Sequence, residues 1–576
     1  MRQPLRITLL AGLAAAMPMG MSAAQDTAEA QAEPIRTLVS GTPLTSEQAK
    51  LVPLKLDLKI WVMPETTSIR GLADYTFAAN GTPKRVELEL DERLAVSQVM
   101  VGGMQIAPGS FTHADGLLSI ELPESRRDPR RYSVQIQYEG VPREAPRAPW
   151  DGGFVWSQTP DGQPWIATAM QGHGCDLLYP CIDHSTKEIA EVESTIFVPS
   201  DSNLYAAGNG RLLGEETAGE WRGYRWLAKH PNIYAMALNI GPYEVLERTH
   251  RGPSGQDIPL VFYHLPGDGE NAGRLLDELA LYIDWFERRI GPYPFADEKA
   301  GVVHTPHLGM EHQTINAYGN GYKRGVMPYD WLLFHEFAHE WFANQLTHRS
   351  NADMWLHEGT GSYMEALYLR DIAGEHAYHA KMAGARNIIR NQVPVAPRDH
   401  VRSDAYLDDA GWGSDIYAKG SWVLHTLREL IGDDAFFRSM TLLVYDTFDP
   451  QPGRFMPVLR DTDDLLQIAE EESGLELGWF FEVYLRQAAL PDLVATRDGG
   501  TLALEWRDVG NVEFAMPVEV MVDGQLMRAE FTGNRAVLEI GEDAQIVTLD
   551  PQSKILRRDP NIEAYQAQQA RARAGT

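Results

Sequence analysis

The chain has 576 residues, 44% of them hydrophobic and 23% charged, with a formal net charge of -29. That length exceeds what one core organises, so three or four domains are expected. The negative charge argues against nucleic acid and anionic lipid as partners, because both require basic patches.

Arg2 and Arg6 precede an apolar run over residues 7–21, and Ser22, Ala23 and Ala24 follow as a small-residue cleavage site. This pattern predicts a secretory signal over residues 1–24 and an exported protein, periplasmic or extracellular. The run is short for a bilayer span and is interrupted by Gly12, Pro18 and Gly20, and no later stretch is long enough. The mature chain is therefore expected to have no membrane span. Residues 25–49, rich in Ala, Gln, Glu and Thr without periodicity, read as a flexible lead-in.

Residues 50–248 read as a large antiparallel β domain. Leu54, Leu56, Leu58 and Ile60 alternate with polar residues, as do Val86, Leu88 and Leu90, and Val134, Ile136 and Tyr138. Cys175 and Cys181 are the only cysteines. A disulfide closing a small loop and two buried thiols both fit their spacing.

From residue 249 to 490 the periodicity is mainly helical. Leu275, Leu276, Leu279, Ile283 and Phe286 mark one helix, stopped by Gly291 and Pro292. An extended stretch follows around Gly309, Met310 and Glu311, then a helix over residues 331–346, and another from about Asp353 to Arg370. Further helices run through Val423, Leu424, Leu427 and Leu430, and from Trp479 to Leu485. Alternation returns over residues 491–560 at Leu502, Leu504 and Trp506, at 517–522 and at Val537 to Ile540, enough for a small β-sandwich. Residues 561–576 are expected to be a frayed tail.

The chemistry concentrates in His335-Glu336-Phe337-Ala338-His339. Positions i and i+4 share a helix face, so His335 and His339 can hold one metal ion, with Glu336 beside a water on that metal. Glu358, within Trp355-Leu356-His357-Glu358-Gly359, supplies a third ligand. Two imidazoles and one carboxylate, with a fourth position open, suit zinc, one ion per chain. Glu336 is then the general base. Two other features remain open from the residues alone. His304, His307 and His312 cluster in an extended segment and raise the question of a second metal site. Glu365 lies two helical turns after Glu358, either orienting a ligand imidazole or simply exposed.

Five blocks in this order resemble the aminopeptidase N and leukotriene hydrolase family of zinc metallopeptidases, which belong to the gluzincins. They are Tyr179-Pro-Cys181-Ile-Asp183, Gly291-Pro-Tyr-Pro-Phe295, Met310-Glu311-His312-Gln313, the zinc motif with Glu358, and Tyr417-Ala-Lys419-Gly420. The resemblance spans residues 50–555. It implies an α+β multidomain architecture: an N-terminal antiparallel β domain, a thermolysin-like, mostly helical catalytic domain, and here a small C-terminal β-sandwich. It implies that Tyr417 stabilises the oxyanion, that Glu311 binds the free α-ammonium with Gln171 assisting, and that the backbone of Gly309 and Met310 contacts the substrate. The expected substrates are peptides with a free N-terminus. The family's exopeptidase motif is usually Gly-x-Met-Glu-Asn, whereas Leu308 and His312 replace its first glycine and its asparagine here. Many members also carry a long helical C-terminal domain, so a more open cleft is expected.

The leading reading is a zinc-dependent aminopeptidase. Alternatives are a hydrolase of a non-peptide substrate on the same zinc site, and a non-catalytic binding protein that inherited the fold. The oligomeric state and the first-residue preference stay open.

Overall fold

The computed structural model describes residues 37–124, 131–403, 413–453 and 455–574. The expected signal and the first part of the lead-in fall outside these residues. Residues 37–49 do not form a loose leader: Thr37 donates to buried Asp176, and Ser40 Oγ donates to Asp183 at 2.5 Å. Hydrogen-bonding side chains thus offset the low apolar content that predicted flexibility.

The N-terminal β region is built on an eight-stranded sheet. Its centre is Leu51–Met63, paired antiparallel with Ser68–Ala79 on one side and parallel with Glu191–Pro199 on the other. That parallel pair is a departure from a purely antiparallel sheet. Leu56, Leu58, Ile60 and Val62 face the core. Leu54 does not keep their phase, because the register slips between Pro53 and Lys55. Pro53 has no N–H for the ladder, and a bulge there reverses which side chains point inward. In Arg85–Glu89 the expected polar face is buried as well: Glu89 accepts hydrogen bonds from Gln48 Nε2 at 2.6 Å and Asp183 N at 3.1 Å. A four-stranded sheet containing Pro164–Ala169 and Leu238–Gly241 completes the face towards the next region. Cys175 and Cys181 form a disulfide in the loop after Pro164–Ala169.

A five-stranded mixed sheet begins the catalytic region, in the spatial order Glu244–Arg251, Asp257–His264, Ala300–His304, Asn316–Tyr318, Gly309–Met310. Its first strand crosses the boundary expected at residue 248. Its last strand is an edge, paired antiparallel through Met310 to Ala317. Helix α1, Gly269–Arg289, lays Leu275, Leu276, Leu279, Ile283 and Phe286 on this sheet. It stops at the expected Gly291, where any Cβ would lie 2.6 Å from Tyr445.

Helix α2, Trp331–Ala338, is shorter than the predicted 331–346. From Glu340 to Gln345 the backbone widens into a π-type turn with Phe342 at φ -113°, ψ 52°, before the strand Leu346–His348. Apolar residues alone do not show this change, because Trp341 and Phe342 are buried in either conformation. Helix α3, Trp355–Ala373, and helix α4, Glu375–Arg386, follow, and helix α5, Asp415–Ile431, crosses α3. The crossing is backbone to backbone: a Cβ on Gly420 would lie 2.9 Å from Gly359 Cα. Lys419 anchors α5 by donating to the carbonyls of Gln487 and Ala488 at 3.2 and 2.9 Å.

Two three-stranded sheets form the C-terminal sandwich, one around Thr501–Arg507 and the other around Val518–Val522. Trp506 and Phe514 pack there and join the catalytic core through Tyr484. The expected tail is instead a helix over Pro560–Ala574, in keeping with the high helix propensity of its Ala, Gln and Arg residues. Gln566 ties it to the Asn387 and Ile389 carbonyls. No helix among the described residues is long and apolar enough to cross a membrane.

The Gly359–Gly420 contact sets the approach of α5 to α3, and overpacking such a contact costs about 1–3 kcal/mol. Gly420→Ala should therefore lower the denaturant midpoint of the catalytic region measurably. A midpoint equal to wild type would show that the crossing tolerates a methyl group.

Candidate active site

Helix α2 is started by a residue the sequence reading passed over. Asp330 caps it, accepting from Leu333 N at 3.0 Å, and is itself held by the Tyr318 hydroxyl at 2.6 Å. An Asp directly before the apolar run Trp331-Leu-Leu-Phe334 was the available signal. The cap fixes where the helix begins, and so places His335 and His339 on the face towards α3.

The two imidazoles are oriented from behind. His335 Nδ1 lies 3.1 Å from Glu365 Oε1, and His339 Nδ1 lies 3.2 Å from the Phe342 carbonyl. Donating through Nδ1 leaves each Nε2 as a lone-pair donor pointing into the site. The carbonyl that orients His339 is available because the helix opens into the π-type turn at that point. Such widened turns recur at functional positions.

Three potential ligand atoms then face one another. His335 Nε2 to His339 Nε2, His335 Nε2 to Glu358 Oε2, and His339 Nε2 to Glu358 Oε2 are each 3.4 Å apart. Donors bonded to one ion at about 2.0–2.1 Å in tetrahedral directions stand about 3.3–3.4 Å from each other. Glu358 Oε2 is buried and has no hydrogen-bond partner. An orphaned carboxylate oxygen facing two lone-pair nitrogens fits a zinc ion in the space between them. Burial opposes ionisation of Glu358, but protonated His335 and His339, in the absence of a metal, hold its carboxyl well below the usual range.

Helix α3 reaches this position because Gly361 has no side chain: a Cβ there would lie 3.2 Å from His339 Cε1. One face of α3 carries both Glu358 and Glu365, which resolves the alternatives for Glu365. It is buried, contacts His335 and accepts from Lys381 Nζ of α4 at 2.8 Å. Burial raises its carboxyl, but Lys381 and His335 outweigh this and hold it down to about 2. Lys381 carried no motif and was not foreseen.

Across the cavity, Glu311 follows the edge strand Gly309–Met310 and is 3% exposed, deep enough to need partners. Its Oε1 accepts from Gln171 Nε2 at 3.3 Å and from the Tyr234 hydroxyl at 2.9 Å. Gln171 also reaches Glu358 Oε1 at 3.3 Å, so the expected pair Glu311 and Gln171 does meet. Tyr234 is an addition, in a short loop turn with no sequence signal of its own. Glu336 is buried between these groups, and Glu311, Glu336 and His339 bring donor atoms within 4.8 Å of one another. Burial pushes Glu336 up to about 8, with Glu311 and Glu358 adding and the two histidines opposing. Gly309 leaves room for it: a Cβ at 309 would lie 2.2 Å from Glu336 Oε1. Met310 is buried. The strand's outer edge leaves backbone groups for an extended chain.

Tyr417, in the first turn of α5, has its ring 6.0 Å from that of His335. Burial first, and then the charge of Glu358, keep its hydroxyl protonated well above the usual range, so it is a hydrogen-bond donor. His304, His307 and His312 do not form a three-donor group; the two groups of that kind among the described residues are those around His339. Burial instead pushes His307 down to about 4 and holds His312 well below the usual imidazole range.

Residues 329–484 match the Peptidase family M1 domain. Aminopeptidase N of Escherichia coli is 24% identical over 331 residues, covering 54% of this chain and 36% of the relative. Puromycin-sensitive aminopeptidase of Caenorhabditis elegans is 24% identical over 452 residues, covering 72% of this chain and 45% of the relative. The chain thus spans less than half the length of these curated relatives. A crystal structure of an M1 zinc metallopeptidase variant from Deinococcus radiodurans, bound to a Tyr-Ser-Ala substrate, superimposes with a TM-score of 0.63 at 22% identity. It covers 78% of this chain and 98% of that one. The fold is shared with that structure, and the matched residues include the His335, His339 and Glu358 donor set. Residues 329–484 thus carry a match to the Peptidase family M1 domain, and the chain is similar to the aminopeptidases named above.

If Glu365 orients His335, Glu365→Gln should weaken zinc binding by about 10–100-fold while the protein stays folded. Competition with a chelating indicator measures this directly; wild-type affinity in the folded variant would make Glu365 a packing residue only.

Proposed function

We propose that this protein is a zinc-dependent aminopeptidase that removes N-terminal residues from peptides. The observation that carries the reading is the position of Glu311. Its buried carboxylate, held by Gln171 and Tyr234, faces the same space as Glu336 and His339. An anion there calls for a cation, and the one that every peptide with a free N-terminus carries is the α-ammonium. That pairing measures one residue from the chain end and presents the first peptide bond to the metal position.

Zinc, when held by His335, His339 and Glu358, supplies Lewis-acid polarisation and acidifies water. Glu336 takes the proton from the attacking water and delivers it to the departing amine. Tyr417 donates a hydrogen bond to the carbonyl oxygen as negative charge develops there. The edge strand Gly309–Met310 aligns the extended substrate, and the close approach of Gly309 keeps Glu336 under the scissile bond. Glu311, Gln171 and Tyr234 hold the ammonium and take no part in proton transfer. The disulfide Cys175–Cys181 supports the reading of an exported protein, since such bonds persist in oxidising compartments.

Glu336→Gln should retain zinc and lose nearly all turnover, because an amide cannot accept the proton. Retained zinc with near wild-type turnover would remove Glu336 as the base. Tyr417→Phe should lower kcat by about a hundredfold or more with little change in KM, since the lost bond belongs to the transition state. An unchanged kcat would take Tyr417 out of the mechanism. Blocking the α-amine by acetylation removes the partner of Glu311 and should cost about 2–5 kcal/mol in transition-state binding. Similar rates on acetylated and free peptides, with cleavage at the same internal bonds, would turn the reading into an endopeptidase.

A further inference from the structure

A cleft borders the ammonium anchor, lined by Gln171 and Tyr234 on one side and by Asp183 and Asn351 on others. One wall comes from far away in sequence: Ser40 and Gly41, in the segment that precedes the first strand. We propose that the segment 38–43, through Ser40 and Gly41, forms a specificity-determining wall of the pocket for the substrate's first side chain, one that limits the size of the group admitted. The inference rests on the aminopeptidase reading above. Gln171 and Tyr234 both bond Glu311 and both line the cleft, so the cleft adjoins the amine position and offers space to a side chain one carbon away.

The segment is held from both sides rather than merely lying across the opening. On the β side, Thr37 donates to Asp176 and Ser40 Oγ donates to Asp183 at 2.5 Å. On the catalytic side, the Ser40 carbonyl accepts from Asn351 Nδ2 at 3.1 Å and Ser403 N at 2.9 Å, and His400 bonds the Gly41 carbonyl. Thr42 N bonds back to the Val39 carbonyl at 3.2 Å, closing a turn. Gly41 has φ +87°, and a Cβ there would lie 2.2 Å from Asn351 Nδ2, so the backbone is pressed directly against the catalytic region.

The wall is also tied to the anchor. Ser403, whose N–H holds Ser40, donates its own hydroxyl to the carbonyl of Gly172, the residue after Gln171. Asn351, the other donor to Ser40, accepts from His348 Nε2 at 2.9 Å, and His348 lies 3.3 Å from His357, next to Glu358. A shift of residues 38–43 therefore enlarges the pocket and loosens the residues flanking Gln171. A side chain that outgrows a fixed wall forfeits about tenfold or more in kcat/KM for each methylene-sized excess.

The test uses full-length protein and a panel of alanyl, leucyl, phenylalanyl and tryptophanyl amides. In Gly41→Val the β-branched side chain can adopt neither the backbone conformation nor the space, so the wall should come away. The tryptophanyl-to-alanyl ratio of kcat/KM should rise by about tenfold or more. Ser40→Ala, which removes a single anchoring bond, should shift the ratio the same way by less, and carries the test if Gly41→Val does not fold. A ratio equal to wild type in a folded Gly41→Val variant, or an equal loss on all four amides, overturns the wall. Should wild type cleave none of the amides, the aminopeptidase reading fails. The wall is then judged by calorimetric binding of tryptophanamide against alaninamide in the same proteins, where the same shift in ratio is expected and its absence overturns it.

Discussion

Three buried carboxylates, Glu311, Glu336 and Glu358, share one small space with two histidines. Isolated buried charges cost several kcal/mol each, and mutual repulsion among three adds to that. Protonation relieves part of that repulsion, which is why burial beside Glu311 and Glu358 pushes Glu336 up to about 8. On the proposed reading, a divalent ion held by His335, His339 and Glu358 and an ammonium against Glu311 would balance these carboxylates as they ionise.

The surrounding structure holds these groups close without letting them relax apart. Gly361 brings α3 against the imidazoles, Gly309 brings the edge strand against Glu336, and Gly359 with Gly420 brings α5 within reach of Glu358. Each is a place where a methyl group would separate two functional residues. Behind them lies a second layer: Glu365 with Lys381, the Phe342 carbonyl, and Asp330 with Tyr318. These contacts decide which nitrogen of each histidine faces inward.

The residues of the zinc motif are legible in sequence because helical spacing fixes their geometry locally, and α3 follows from its own periodicity. The strands are legible for the same reason, as with Leu56, Leu58 and Ile60. What sequence hides is whatever depends on contacts between distant segments. The π-type turn after His339 preserves an apolar pattern while changing the backbone. Tyr234 and Lys381 become site residues only because a loop and α4 are folded against α3 and Glu311. Residues 37–49 looked flexible because their attachment is by hydrogen bonds, which leave no hydrophobic pattern. The polar face of Arg85–Glu89 misled in the same way: Glu89 is buried against partners that the strand itself does not contain.

The most direct measurement is an anomalous diffraction experiment at the zinc absorption edge on crystals of the zinc-loaded protein. The account predicts one strong peak per chain, about 2.0–2.2 Å from His335 Nε2, His339 Nε2 and Glu358 Oε2. Zinc-replete crystals with no peak at that position, or with the peak at His307 and His312 instead, would contradict it.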